Sequence, residues 1–240
     1  MRSTNRQTGI RQVARAELGK RDRRIVSDIA RYRLTTNEFL HQRFMGHAQP
    51  NAVVKVTGRL VRQGWLSTYP LFDRQQYFVP GSKLVKLNGL PTSRTRPLGP
   101  QSLASLYAVA KYCFKAGVGG ELATEVELRT AFPWMTEPMF NSPNLLASTD
   151  CEVTLRLVRI DLGGTPEHVS KKCVQDIVCR QTQAEFNQLV AAKRFVLVVL
   201  TASTTKQELI QKAIAKRQWP KGMRFHVWVV PELAQLLSIT

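Results

Sequence analysis

Phe195 to Thr201, "FVLVVLT", is apolar at every position but the last. Side chains of a strand point to opposite faces in turn, so a strand with one wet face alternates polar and apolar. An unbroken aliphatic run instead needs cover on both faces. That is the mark of a strand inside a parallel, helix-covered sheet. The residues around it supply the rest of such a sheet. "EVTLRLVRID" (Glu152–Asp161) reads as a strand, with Val153, Leu155 and Leu157 on one face. Thr165-Pro166 opens a helix at its cap and first turn. Thr182 with Glu185, and Thr205 with Glu208, have the spacing of two further helix starts. The last of these helices holds Leu209, Ile210, Ala213 and Ile214. "MRFHVWVV" is another strand and "PELAQLL" a short closing helix. The order is β-α-β-α-β with a parallel component. Upstream, Leu103, Leu106, Tyr107, Ala110 and Phe114 predict an amphipathic helix after Pro100. "ELATEVELRTAF" fits helix and strand equally.

The first part of the chain follows another plan. Ile25, Ile29 and Tyr32 recur at helical spacing, with Val26 and Ala30 beside them. Thr35 with Glu38 has the spacing of a capping box, and Leu40 and Phe44 share the next helix face. Pro50 starts a third helix and Gly64 stops it. Val53, Val56, Thr57 and Leu60 are expected to face inward, and Asn51, Lys55, Arg59 and Arg62 outward. Two short strands then flank the polar tip Asp73-Arg74-Gln75-Gln76. Three helices followed by a hairpin make a winged helix-turn-helix. The expected class is α/β, α+β overall: a winged helix and then a mixed-sheet α/β domain. Its divisions are a basic arm over 1–20, a winged helix with basic linker over 21–95, and a second domain over 96–240. Residues 81–100, rich in Gly, Pro and cations, read as the linker.

Charge divides the same way. The chain has 35 Lys+Arg against 17 Asp+Glu, a net of +18. Residues 1–100 hold 19 basic and 5 acidic residues, a net of +14; the remainder hold 16 and 12, a net of +4. A field of that sign attracts polyanions, and double-stranded DNA is the partner it fits. A winged helix offers its third helix to the major groove and its wing to the backbone. Arg bonds guanine, Asn reads adenine and Lys neutralises phosphate. Asn51, Lys55, Arg59, Arg62 and the tip residue Arg74 are therefore the candidate DNA contacts. Arg21, Arg23 and Arg24 are candidates for phosphates beside the first helix. Arg2, Arg6, Arg11 and Arg15 belong to an arm that is loose or turns helical on contact with a partner.

Other chemistry finds little footing. Cys113, Cys151, Cys173 and Cys179 lack zinc-knuckle spacing and read as reduced thiols, and the four histidines form no metal motif. No Walker loop and no Gly-x-Ser-x-Gly elbow occurs. Tyr107 and Tyr112 share one predicted helix without an evident histidine partner. No long apolar segment suggests a membrane. The expected location is the cytoplasm.

From Asn141 to Lys172 the chain resembles a family. Pro143-Asn144 precedes one strand, Arg159-Ile160-Asp161 ends another, Gly164-Thr165 turns, and Lys171-Lys172 lie on the helix that follows. This layout, and the element order over 21–235, is similar to the replication-relaxation proteins of plasmids and other mobile elements. In those, a winged helix precedes a domain of the PD-(D/E)xK restriction-nuclease type. Their pattern is Pro-Asp before one strand, Glu-x-Asp ending the next, a Gly-Thr turn and a helical lysine. The resemblance implies a site in which Asp161, Lys171 and Lys172 serve Mg²⁺-dependent nicking of DNA at a transfer origin. Asn144 and Arg159 depart from it.

The departures bear on the metal. Mg²⁺ wants anionic oxygens, and Asn144 offers a neutral carbonyl. Residues two apart on a strand share a face, so the Arg159 guanidinium is expected where the metal would be, paired with Asp161. Asp150, Glu152, Glu125 and Glu127 are the nearby acids that would serve in their place. The expected protein is a DNA-binding factor with a pseudo-nuclease domain and no cofactor. Its expected work is transfer-origin or replication-complex assembly, or transcriptional control, with a homodimer and relaxosome or replication proteins as partners. The alternative is a metal-dependent nicking relaxase with Mg²⁺ and relocated carboxylates.

Overall fold

A computed structural model of the chain describes residues 18–114, 120–148 and 152–238. The arm over 1–20 therefore lies outside the described residues as far as residue 17, as do Cys151 and Asp150. The chain divides into two units, Met1–Gly99 and Pro100–Thr240. The boundary falls at Pro100, where a helix begins, a few residues beyond the expected 95.

The N-terminal unit opens with α1 (Lys20–Tyr32), which buries Ile25, Val26, Ile29 and Tyr32 as its periodicity requires. β1 (Thr35–Thr36) pairs with a later strand, so Thr35 is held extended and the cap passes to Thr36. The Thr36 hydroxyl accepts the Phe39 N–H at 3.2 Å and starts α2 (Asn37–Phe44). α3 (Pro50–Arg62) follows, with Pro50 in its first turn and Val53, Val56, Thr57 and Leu60 buried. The Thr57 hydroxyl donates to Asn37 Oδ1 at 3.0 Å and ties α3 to α2. β2 (Leu66–Pro70) and β3 (Gln76–Pro80) form the hairpin, and the sheet order is β1-β3-β2. Asp73 and Arg74, both at positive φ, make its turn, closed by the Gln75 N–H on the Phe72 carbonyl at 2.7 Å. Gln76 belongs to β3 rather than to the tip.

The expected linker is structured. α4 (Ser82–Asn88) packs Leu84 and Val85 inward, and a 3-10 turn at Thr92–Thr95 follows. A Cβ on Gly81 would lie 2.4 Å from the Gly64 carbonyl oxygen and 2.6 Å from the Leu66 nitrogen, so only glycine fits there. Its composition concealed this: a two-residue apolar face among Gly, Pro and cations carries almost no periodic signal. The core joins Ile25, Ile29, Leu40, Val53, Leu60 and Trp65.

The C-terminal unit begins with α5 (Pro100–Phe114). The ambiguous stretch holds both elements: β4 (Glu121–Leu122), then α6 (Glu125–Ala131) behind a Thr124–Glu127 capping box. α7 (Glu137–Phe140) leads to β5 (Asn144–Ser148) and β6 (Val153–Ile160). α8 (Pro166–Gln181) and α9 (Ala184–Ala191) cross over to β7 (Phe195–Thr201), and α10 (Thr204–Ala215) crosses to β8 (Arg224–Val229). α11 (Glu232–Ser238) ends the described chain. The sheet order is β4-β5-β6-β7-β8, antiparallel up to β6 and parallel from β6 to β8.

Every residue of β7 is buried. On one face Leu155, Leu157, Leu197 and Val199 pack with Val169, Cys173 and Ile177 of α8 and with Ile210 of α10. On the other, Tyr112 of α5 reaches His226 and Trp228 of β8. Two helix caps differ from expectation. Thr182 keeps helical dihedrals and ends α8, leaving the extended Gln183 to begin α9. The extended residue before α10 is Ser203, whose hydroxyl accepts the Lys206 N–H at 3.2 Å, so Thr205 sits inside the helix. Leu209 is 46% exposed and off the buried face. No helix among the described residues is long and apolar enough to cross a membrane.

Candidate nucleic-acid interface

α3 carries no acidic residue and is amphipathic in the strict sense. Burial of Val53, Val56, Thr57 and Leu60 leaves Asn51, Lys55 and Arg62 exposed together on the opposite side. Arg59 differs from these three. Its side chain leans toward α1, where Nη2 donates to Asp22 Oδ2 at 2.6 Å. Asp22 is 4% exposed, so the bond joins a half-exposed guanidinium to a buried carboxylate. Arg59 thus helps set the angle between α3 and α1. Arg74 stands exposed at the hairpin turn.

The cations of α1 are less alike than their spacing suggested. Arg21 is exposed, 3.7 Å from Asp22. Arg24 is exposed and its guanidinium lies over the Phe44 ring. Arg23 is half-buried and donates to the Leu18 carbonyl at 3.0 Å. Arg43 pairs with buried Asp28 at 3.0 Å. The two buried acids of α1 thus hold one cation of α3 and one of α2. No periodicity marks them; two aspartates in an otherwise cationic helix are the available signal.

In the C-terminal unit the family positions are occupied otherwise than expected. Asn144 pairs in register with Leu157, and cross-strand partners share a face, so Asn144 lies on the face of Leu157 and Arg159. The Arg159 guanidinium does not meet Asp161. It grips Asp176 of α8 through two nitrogens, Nε and Nη2. That carboxylate holds the Arg159 pKa above its ordinary value. Asp161 lies one residue past β6, where it accepts the Thr201 hydroxyl at 2.9 Å and the Gly163 N–H at 3.1 Å. Lys206 Nζ stands 3.4 Å from it and donates to the Gly164 carbonyl at 2.6 Å. The expected Arg159–Asp161 pair fails because α8 brings a second carboxylate to Arg159 while β7 and α10 engage Asp161.

Behind Asp176 lies Arg180, 1% exposed. Its Nη1 donates to the Asp176 carbonyl at 2.8 Å and its Nη2 to the Met139 carbonyl at 3.2 Å. Burial lowers its pKa. The Asn144 amide nitrogen donates to the same Met139 carbonyl at 3.0 Å and to Ser142 at 2.8 Å. Asn144, Arg180, Asp176 and Arg159 thus form one polar chain across the face where the resemblance puts a metal. The Asp176–Arg180 spacing of one helical turn was the readable clue.

An open cavity of about 280 Å³ is bordered by Arg159, Asp161, Gly164, His168 and Lys172. Asn144 lines a different cavity, with Glu125 and Ser142. Lys171 is exposed and borders neither. Glu127 is taken by the Thr124 capping box and Glu125 by Arg129 at 2.8 Å. Glu152 is exposed ahead of β6. A Mg²⁺ at the 280 Å³ cavity would meet one carboxylate, already engaged three ways, between an arginine and a lysine. Those donors do not fit it. Among the described residues no three of His, Cys, Asp and Glu group to hold a metal ion.

The tyrosine without an evident partner has one. Tyr112 Oη lies 2.9 Å from His226 Nδ1. Burial raises the Tyr112 pKa, an effect that nearby Arg156 opposes. At 1% exposure the phenol stays protonated and closed to substrate. Cys113 and Cys173 are buried free thiols and Cys179 is an exposed one. No family model, no curated protein and no solved structure matches this chain.

Proposed function

We propose that the chain is a sequence-recognising, double-stranded DNA-binding protein that works through its N-terminal unit. The observation that carries this reading is the exposed face of α3. Asn51, Lys55 and Arg62 stand together there, on a helix without acids, in the half of the chain with a net charge of +14. The order of α1, β1, α2, α3, β2 and β3, with sheet order β1-β3-β2, supports a winged helix-turn-helix. In that fold α3 enters the major groove and the Arg74 turn meets the backbone.

The C-terminal unit, on this reading, is a nuclease-like scaffold. Its antiparallel β4-β5-β6, parallel β7 and intervening helix support the likeness to the replication-relaxation type. The Arg159–Asp176–Arg180 chain argues for assembly in place of metal-dependent cleavage. The element of origin would be a plasmid or integrative element, and the task transfer-origin or replication-complex assembly or transcriptional control, in the cytoplasm. A homodimer, matching a palindromic site, and relaxosome or replication proteins are the partners this implies.

Selection of bound fragments from random duplex DNA, followed by anisotropy titration, tests the first part. Arg62→Ala is expected to weaken binding to the selected duplex by about tenfold, the worth of one good base contact. Equal affinity in Arg62→Ala and Lys55→Ala variants would remove α3 from the interface. Supercoiled plasmid carrying that duplex, incubated with Mg²⁺, tests the second. Nicking that disappears in Asp161→Ala would restore the relaxase.

A further inference from the structure

Two residues on the open side of α3 oppose its own stability. Gly58 sits in the helix interior, where glycine is a much poorer helix former than alanine. Nothing inside the molecule demands it. A Cβ there would meet only Arg62 Nη1, at an ordinary 3.7 Å. Val54 is 54% exposed, and it is the one large apolar side chain so open among the described residues of the N-terminal unit. Valine too is a poorer helix former than alanine. At 3.6 residues per turn, Asn51, Val54, Lys55, Gly58 and Arg62 fall on one face. A helix face meant only for water favours alanine, lysine or glutamate at those places.

We infer that α3 presses its bare backbone at Gly58 against duplex DNA, with Val54 packed on a thymine methyl group and Lys55 and Arg62 on either side. This rests on the DNA-binding reading above and adds how the site is read. Glycine allows the closest approach of backbone to a ligand. In the major groove thymine presents the one methyl group, which apolar side chains recognise. The absence of acids on α3 makes the strip complementary to a polyanion rather than to a basic surface. Asn51, one turn from both Val54 and Lys55, is placed to read an adjoining adenine.

The test gives stability and binding opposite signs. In the full chain, Gly58→Ala is expected to raise the unfolding temperature and to weaken binding to the selected duplex at least about tenfold, since one Cβ displaces the helix from the groove. Uracil is then substituted for each thymine of that duplex in turn. One position is expected to cost the wild type about fourfold, the worth of one buried methyl, and to cost Val54→Ala nothing further. A Gly58→Ala protein that is more stable and binds equally well overturns the inference. So does indifference of the wild type to every uracil. If Lys55→Ala still weakens binding in that case, DNA recognition by α3 stands and only the close approach is refuted. A full chain that binds no duplex at any salt refutes both.

Discussion

Arg59 Nη2 donates to Asp22 Oδ2 at 2.6 Å, tying α3 to α1 by a carboxylate that is 4% exposed. This pair separates two arginines that the helical pattern treats alike. Arg59→Ala is expected to lower the stability of the N-terminal unit by about 1 kcal/mol, a charge-assisted bond discounted for the exposure of its donor. It should alter DNA affinity less than Arg62→Ala does. Denaturant unfolding alongside anisotropy titration checks both halves of the statement.

Phosphate contacts leave their trace in salt. Binding that neutralises a phosphate releases counterions, and each contact contributes about 0.9 to the slope of log K against log salt concentration. Lys55→Ala and Arg74→Ala are each expected to flatten that slope by about this amount, on selected and scrambled duplexes alike. Arg23→Ala should leave it unchanged, because its guanidinium is held by the Leu18 carbonyl. Titrations from low to physiological salt measure it.

Asp176 is the anion for a buried and a half-buried guanidinium. Asp176→Ala is expected to destabilise the C-terminal unit by about 3–5 kcal/mol, since removing one member strands a buried charge. Adding Arg180→Met should recover much of the loss, because the apolar pair replaces the unpaired cation. A double-mutant cycle in urea supplies the comparison; a full loss that Arg180→Met does not relieve would mean that Arg180 is not stranded.

Burial pushes the Cys173 thiol from 9.0 up to about 12. In the unfolded chain the same thiol ionises near its ordinary value, so between about pH 9 and 12 the unfolded state binds fewer protons. Stability is therefore complete below pH 9 and falls as pH rises through that window, by about 4 kcal/mol at most from this group. Buried Tyr77 and Tyr112, also raised, act in the same direction. The alkaline limb of a stability profile is expected to be flatter in Cys173→Ala. At pH 8 a maleimide should modify Cys179 in the native protein well before Cys113 or Cys173.

How much of this was legible from the residues depended on periodicity. The run at 195–201 announces a strand covered on both faces, and the repeat of Val53, Val56, Thr57 and Leu60 along one helix face sets them inward. Thr165-Pro166 marked a helix start because both its cues are local. Signals failed where a neighbour in space decided the outcome. β1 took Thr35 out of the cap through its pairing with Phe78. Asp176 reached Arg159 from another element, so strand alternation alone chose the wrong partner for it. α4 was hidden by a composition that also suits a linker.

The parallel order β6-β7-β8 has a kinetic consequence. Each parallel pairing can close only after an intervening crossover has been gathered in, α8 with α9 for the first and α10 for the second. The helices and hairpin of the N-terminal unit join residues much nearer in sequence, apart from the short β1–β3 pairing. Contact order therefore ranks the two units, with the N-terminal one set early and the sheet later. During refolding from denaturant, the face of α3 proposed to meet DNA should be in place while the remainder of the chain is still searching for its register.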